Sequence, residues 1–187
     1  MADRTVLLER YRALPVPDTS MEAWRFTDLA GFDPDAFAVS NGHVRGQTPA
    51  VSKHGMLEID AAAVATVGEE GVEVGDVPEG VTFELLDEHN PRLYELVGWS
   101  EKFAAHNAAV WTHGLFVRVP KGVVLEKPLY VRVAVTGQTF WRLVVVAEDG
   151  ARASLIEEYA SPAASTEAYS NAVTELFVET SAKLEYV

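Results

Sequence analysis

The sequence contains no cysteine. That absence removes disulfides, thiolate nucleophiles and cysteine-ligated zinc or iron–sulfur centres from what this stretch can build by itself. It also fits a reducing, cytoplasmic setting. No apolar run comes near the roughly 20 residues that span a bilayer. The first residues, MADRTVLLERYRALPVPD, scatter charges among apolar side chains where a signal peptide would show a clean apolar block, so a cytosolic start is expected. Positive charge is scarce: 15 Lys and Arg stand against 28 Asp and Glu, a formal net charge of -13. Such a surface repels phosphate backbones and anionic lipid, so neither nucleic acid nor a membrane is an expected partner. Phosphate-loop motifs are missing. Neither G-x-G-x-x-G nor GxxxxGK[ST] occurs, Lys121-Gly122 runs in the wrong order for a P-loop, and G-x-S-x-G is absent.

What is present is a globular composition, 48% hydrophobic and 23% charged, sufficient for one sizeable core. Asp3 is placed to cap a helix running to about Leu14, which Pro15 and Pro17 end. The aromatic stretch MEAWRFTDLAGFDPDAF is broken by Gly31 and Pro34. It reads as short helical turns packed by Trp24, Phe26, Leu29 and Phe32. Signals are weak from Ala38 to Gly80: strand-like pieces at Met56–Ile59 and Val72–Val74, and a short helix over Ala61–Val67. Val81–Leu86 reads as a strand leading into a turn at Asp87–Pro91. Pro91–Val97 and Glu101–Val110 read as two short helices.

After Trp111 the period changes to two. Leu115–Val119, Leu129–Val135, Trp141–Ala147, Ala153–Tyr159, Tyr169–Thr180 and Leu184–Val187 read as successive strands. Turns at Lys121-Gly122, Thr136-Gly137 and Asp149-Gly150 separate the earlier ones. Two architectures fit this pattern. One is a sandwich of hairpins. The other is a β-helix, a stack of rungs whose ends need caps because an open rung exposes unpaired backbone groups. In the stacked reading the helix before Trp111 is the expected cap of the first rung, and KLEYV falls within a strand pattern.

Candidate chemistry is sparse. The five histidines are His43, His54, His89, His106 and His113, with none of the HxH, HExxH or H-x3-H spacings. His106 and His113 flank the helix-to-strand junction, where they can meet in space. Joined by a carboxylate such as Glu157, they would make a metal site in a small β-barrel or cupin-like protein that binds a metal or small molecule. The alternative is that both histidines serve the junction through backbone hydrogen bonds. Glu157 and Glu158 adjoin on a strand and point to opposite faces, so they cannot act as a carboxylate pair. A solvated edge is the expectation for Glu157, and a solvated turn for Glu69-Glu70. Trp24, Trp99, Trp111 and Trp141 are expected in core packing. No catalytic, cofactor-binding or metal-binding residue is assigned, and the chain is not expected to be an enzyme.

Three segments, taken in order, resemble a known family. The first is Glu22-Ala23-Trp24-Arg25-Phe26-Thr27-Asp28-Leu29. The second is Phe103-Ala104-Ala105-His106-Asn107-Ala108-Ala109, followed by Gly114-Leu115-Phe116-Val117-Arg118-Val119-Pro120-Lys121-Gly122-Val123 and the Lys127-Pro128-Leu129 step. The third is Ala153-Ser154-Leu155-Ile156-Glu157-Glu158-Tyr159, then Asn171-Ala172-Val173-Thr174-Glu175-Leu176 and Ala182-Lys183-Leu184-Glu185-Tyr186. In that order and spacing the sequence resembles the SufB/SufD family of iron–sulfur cluster assembly proteins, and its first segment resembles SufD in particular.

The resemblance implies a mainly β fold with an α+β N-terminal region: short helices, then the opening rungs of a right-handed parallel β-helix. It divides the chain into a helical and mixed region, residues 1–112, and the start of the β-helix, residues 113–187. It further implies that the natural chain continues past Val187, so that this stretch is the N-terminal portion of a SufD-like protein. Full-length members are non-catalytic scaffold components that pair with SufB-like and SufC-like proteins, and the iron–sulfur cluster rests only transiently on the whole complex. The SufC docking surface, the SufB–SufD contact and the histidine attributed to SufD lie later in such chains, so no family site residue carries over and no bound cofactor is expected here. A β-helix cut mid-stack would also self-associate through its open end.

Overall fold

A computed structural model describes residues 3–37, 57–68, 71–135, 138–161 and 169–187. The expected turns at Glu69-Glu70 and Thr136-Gly137, and His43 and His54, lie outside the described residues. The chain opens with helix α1, Arg4–Ala13, whose N-cap Asp3 accepts a hydrogen bond from the Thr5 amide at 2.8 Å. Two 3-10 turns follow, Glu22–Trp24 and Pro34–Ala36. Of the four expected packing residues, Trp24, Leu29 and Phe32 are half-buried, whereas Phe26 is 87% exposed under the Arg25 guanidinium.

Strands β1 (Ala63–Gly68), β2 (Gly71–Val74) and β3 (Thr82–Leu85) precede helix α2 (Lys102–Val110). Strands β4 (His113–Val119), β5 (Leu129–Ala134), β6 (Gln138–Ala147), β7 (Arg152–Ala160), β8 (Tyr169–Val178) and β9 (Lys183–Tyr186) complete the described chain. Two mixed sheets result, ordered β2-β1-β5-β7-β9 and β3-β4-β6-β8. From β4 onward the chain alternates between them. Each strand from β6 to β9 pairs in parallel with the strand two before it, and β5 pairs in parallel with β1. Only the edge strands β2 and β3 pair antiparallel.

Period-two alternation puts Leu115, Val117, Leu129, Val131, Leu143 and Val145 into one apolar core between the sheets. Strand β6 is buried on both faces because a second cluster covers its outside, where Phe140, Val144 and Val146 meet Leu86, Leu93 and Trp111. Gly114 is required where this layer closes. A Cβ there would lie 2.8 Å from Leu86 Cδ2 and 2.9 Å from the Arg142 carbonyl oxygen. The turns at Lys121-Gly122 and Asp149-Gly150 form as expected, with φ of 71° at Gly122 and 69° at Gly150.

Four expectations about the layout change. Ala61–Val67 is not a helix: Ala63, Ala65 and Val67 alternate inward on β1, and parallel pairing with β5 overrides the helix preference of alanine. Pro91–Val97 is not a helix either. Tyr94 has φ of 68°, and the amides of Tyr94, Leu96 and Val97 are directed at the Glu175 carboxylate. The described part of Met56–Ile59 carries no strand pairing, since Leu57 bonds through its amide to Glu158 and through its carbonyl to Arg132 and Tyr130. Finally, α2 does not cap the first rung. It lies on the outer face of the β4–β6–β8 sheet, where Asn107 Nδ2 donates to the carbonyls of Trp141 at 3.1 Å and Asn171 at 2.8 Å. The strands β2 and β3 occupy the leading edges instead.

Candidate functional site

The residues singled out for a metal site do not come together. Neighbouring residues on β6 point to opposite faces of the sheet, and His106 and Glu157 contact neighbours on different faces. His106 meets the Phe140 ring at 4.8 Å, on the outer face under α2. Glu157 takes a hydrogen bond from the Trp141 indole at 2.7 Å, on the inner face between the sheets. His113 stands at the start of β4, in register with Trp141, and its Nδ1 lies 2.8 Å from the Thr112 hydroxyl. Burial lowers its pKa. Among the described residues no group of three or more His, Asp or Glu is clustered for a metal ion.

Glu157 is also not the solvated edge that its charge suggested: it is 9% exposed. Its carboxylate accepts from Trp141 Nε1, from the Tyr159 hydroxyl at 2.5 Å, from the Thr174 hydroxyl at 3.3 Å and from the Tyr186 hydroxyl. A carboxylate has acceptor sites for about four such donors, and these four side chains use them. Burial and the hydrogen bond to Glu157 push the Tyr186 phenol up to about 12. Burial, then the Glu157 charge and hydrogen bond, push Tyr159 up as well. The group ties β6 and β8 of one sheet to β7 and β9 of the other across the interior.

A second polar group sits on the outer face. Arg142 and Glu175, each with a side chain 1% exposed, form an ion pair at 3.1 Å. Arg142 Nε also donates to Asn107 Oδ1 at 2.7 Å, and its guanidinium lies 4.2 Å from the Tyr94 ring. Burial lowers the Arg142 pKa, while Tyr94 and Glu175 oppose the shift and favour the charged form. Glu175 takes three backbone N–H donors from the 94–97 loop besides the arginine. A buried charge is tolerated only when paired and hydrogen-bonded in this way. Asn171 Nδ2 bonds the Phe103 carbonyl at 3.0 Å and fixes the start of α2.

Beneath α1 lies a third group. His106 is fully buried and stacks on Tyr11, with ring centroids 4.2 Å apart and planes 17° apart. Lys102, also buried, places Nζ 3.9 Å from the centre of the Tyr11 ring and donates to the Tyr11 carbonyl at 3.1 Å. The Tyr11 hydroxyl donates to Asp35. Desolvation lowers the His106 pKa to about 4. Lys102 adds to that effect, while Asp35 and the Phe37 backbone oppose it.

Sequence reasoning missed both buried carboxylates, Glu157 and Glu175, as network centres. The signal available was a glutamate within an otherwise apolar strand pattern. All three groups are polar clusters that hold elements in register, and among the described residues Arg142 Nη2 and both His106 ring nitrogens are left without a hydrogen-bond partner of ordinary geometry.

Comparison with known proteins adds what the geometry leaves open. Residues 131–187 match the family model described as SUF system FeS cluster assembly, SufBD core domain. An iron-sulfur cluster assembly SufBD family protein of Staphylococcus epidermidis is 36% identical over 88 residues, which is 46% of this chain and 19% of that protein. Proteins with the same family description from Staphylococcus haemolyticus and Staphylococcus aureus are each 35% identical over 88 residues, with the same coverage of both chains. The match thus spans about a fifth of the length of these curated relatives.

Proposed function

The chain belongs to the SufB/SufD family, and on that premise we propose that it acts as a non-catalytic, SufD-like scaffold component of SUF-type iron–sulfur cluster assembly. The match of residues 131–187 to the SufBD core carries this reading. The alternation of β4 to β9 between two sheets, with parallel pairing of strands two apart, supports a further part of it: these strands are the opening rungs of a right-handed parallel β-helix, residues 113–187, behind a helical and mixed region, residues 1–112. The absence of cysteine and the Glu22–Leu29 segment favour a SufD-like over a SufB-like role.

The partners are a SufB-like and a SufC-like protein, and the cluster is the cargo of the complex, resting on it transiently in the cytoplasm. No helix among the described residues is long and apolar enough to cross a membrane. The buried groups around Glu157, Glu175 and His106 hold strands and helices in place. The small metal-binding barrel is the poorer reading, since His106 and Glu157 contact different faces of one sheet. Deleting the gene tests the proposal in cells. Under iron limitation, the activity of iron–sulfur enzymes in extracts is expected to fall while the amounts of their polypeptides stay constant; unchanged activities would contradict it.

A further inference from the structure

We propose that α1, together with the aromatic stretch that follows it, is a strap over α2 that releases when His106 takes up a proton. The strap covers an apolar interface with polar groups at its centre. Leu7 packs against Ala108 and Ala109, Trp24 and Phe32 pack against Phe103, and Phe37 stacks on Tyr169. In the middle of this apolar contact sit His106 and Lys102, both inward-facing members of α2 and both covered by Tyr11. Among the described residues, neither ring nitrogen of His106 has a hydrogen-bond partner of ordinary geometry.

A neutral imidazole tolerates this position, because the Tyr11 and Phe140 rings pack against it. An imidazolium does not. It would carry two N–H donors inside an apolar shell and beside the Lys102 ammonium, with the Phe37 backbone and Asp35 alone to favour its charge. The groups that act on it are Asp35 from the second 3-10 turn, Lys102 from its own helix and the Phe37 backbone, while the Tyr11 ring of α1 stacks on it and the Tyr169 ring of β8 lies 6.3 Å away. From β6 only the apolar Phe140 packs on it. Asp35 favours the proton, but its carboxylate already accepts from the Tyr11 hydroxyl. Lifting α1 hydrates His106 and Lys102 together, so the open form binds the proton and the closed form rejects it.

The sign follows from this difference. The folded His106 pKa of about 4 lies below the ordinary value near 6.5. Closure is therefore fully stabilised above pH ~6.5 and weakens as pH falls towards about 4. With those two values the closed-to-open ratio drops about twenty-fold between pH 7 and pH 5.

Amide hydrogen exchange at the two pH values, corrected for intrinsic exchange, reads this directly. Because the strap opens without the sheets, protection over residues 4–13 is expected to lie below that of β6 and β8, and to fall about twenty-fold at pH 5. In His106→Phe, which keeps the stack and cannot titrate, the fall should vanish. In Lys102→Met, which removes the neighbouring cation and lets the buried imidazole hold a proton more readily, the fall should be smaller. Three results would overturn the proposal: α1 protection equal at both pH values, an equal fall in His106→Phe, or protection of α1 as high as that of β6 and β8. Should His106→Phe not fold, the size of the fall in Lys102→Met decides.

Discussion

Glu157 shows how a single residue can be read correctly by face and wrongly by environment. Period two placed it on one face with Ala153 and Leu155, and that face is the interior. Its charge argued for solvent. The donors that reconcile the two lie 16 residues back at Trp141 and 29 ahead at Tyr186, so no local pattern announces them. Their worth can be measured. Glu157→Gln replaces an oxygen that accepts with an NH2 group facing other donors, including the fully buried Trp141 indole. The expected cost is about 2 kcal/mol, a drop in melting temperature of about 4–8 °C for a chain of this size. A variant as stable as the parent would show that the carboxylate does not hold the two sheets together. His106 was likewise legible only as a histidine at a junction. Its stacking partner Tyr11 is far away in sequence, on another helix.

Elements with local signals were read well. α1 announces itself with Asp3 and ends before Pro15, α2 falls within Glu101–Val110, and the strands from β4 to β9 match their apolar alternation. The failures are elements decided by distant partners. Ala61–Val67 is alanine-rich, yet β1 forms because β5 offers a parallel ladder from Ala63 to Val67. The 94–97 segment is an irregular loop because Glu175 collects its amides. That loop, α2 and β6 are fastened through one ion pair, which makes a sharp prediction. Glu175→Ala leaves the Arg142 charge buried and unpaired, at a cost of about 3–5 kcal/mol. Adding Arg142→Met removes the stranded charge and should recover about half or more of the loss in urea denaturation. A double variant no more stable than Glu175→Ala would mean that the loop amides, and not the ion pair, set the energy.

At the scale of the molecule, the pattern of strands was visible in the sequence but their pairing was not. Alternation tells which residues share a face. It does not tell whether the next strand folds back antiparallel beside the last or crosses to another sheet. The chain does the latter from β4 onward, and each strand from β6 to β9 pairs in parallel with the one two positions before it. The order of three segments along the chain, more than any single motif, pointed to the SufB/SufD family, and the SufBD core match over residues 131–187 agrees with it.

The proposal is that this chain belongs to a scaffold that works with SufB-like and SufC-like partners. It is tested most directly by isolating the protein, expressed from its complete reading frame at native level with an affinity tag, and measuring the intact complex by native mass spectrometry. The account expects one copy of the protein with a SufB-like chain and SufC-like ATPase subunits in a fixed ratio. A protein recovered free of both partners, at concentrations where they are present in the same extract, would contradict it.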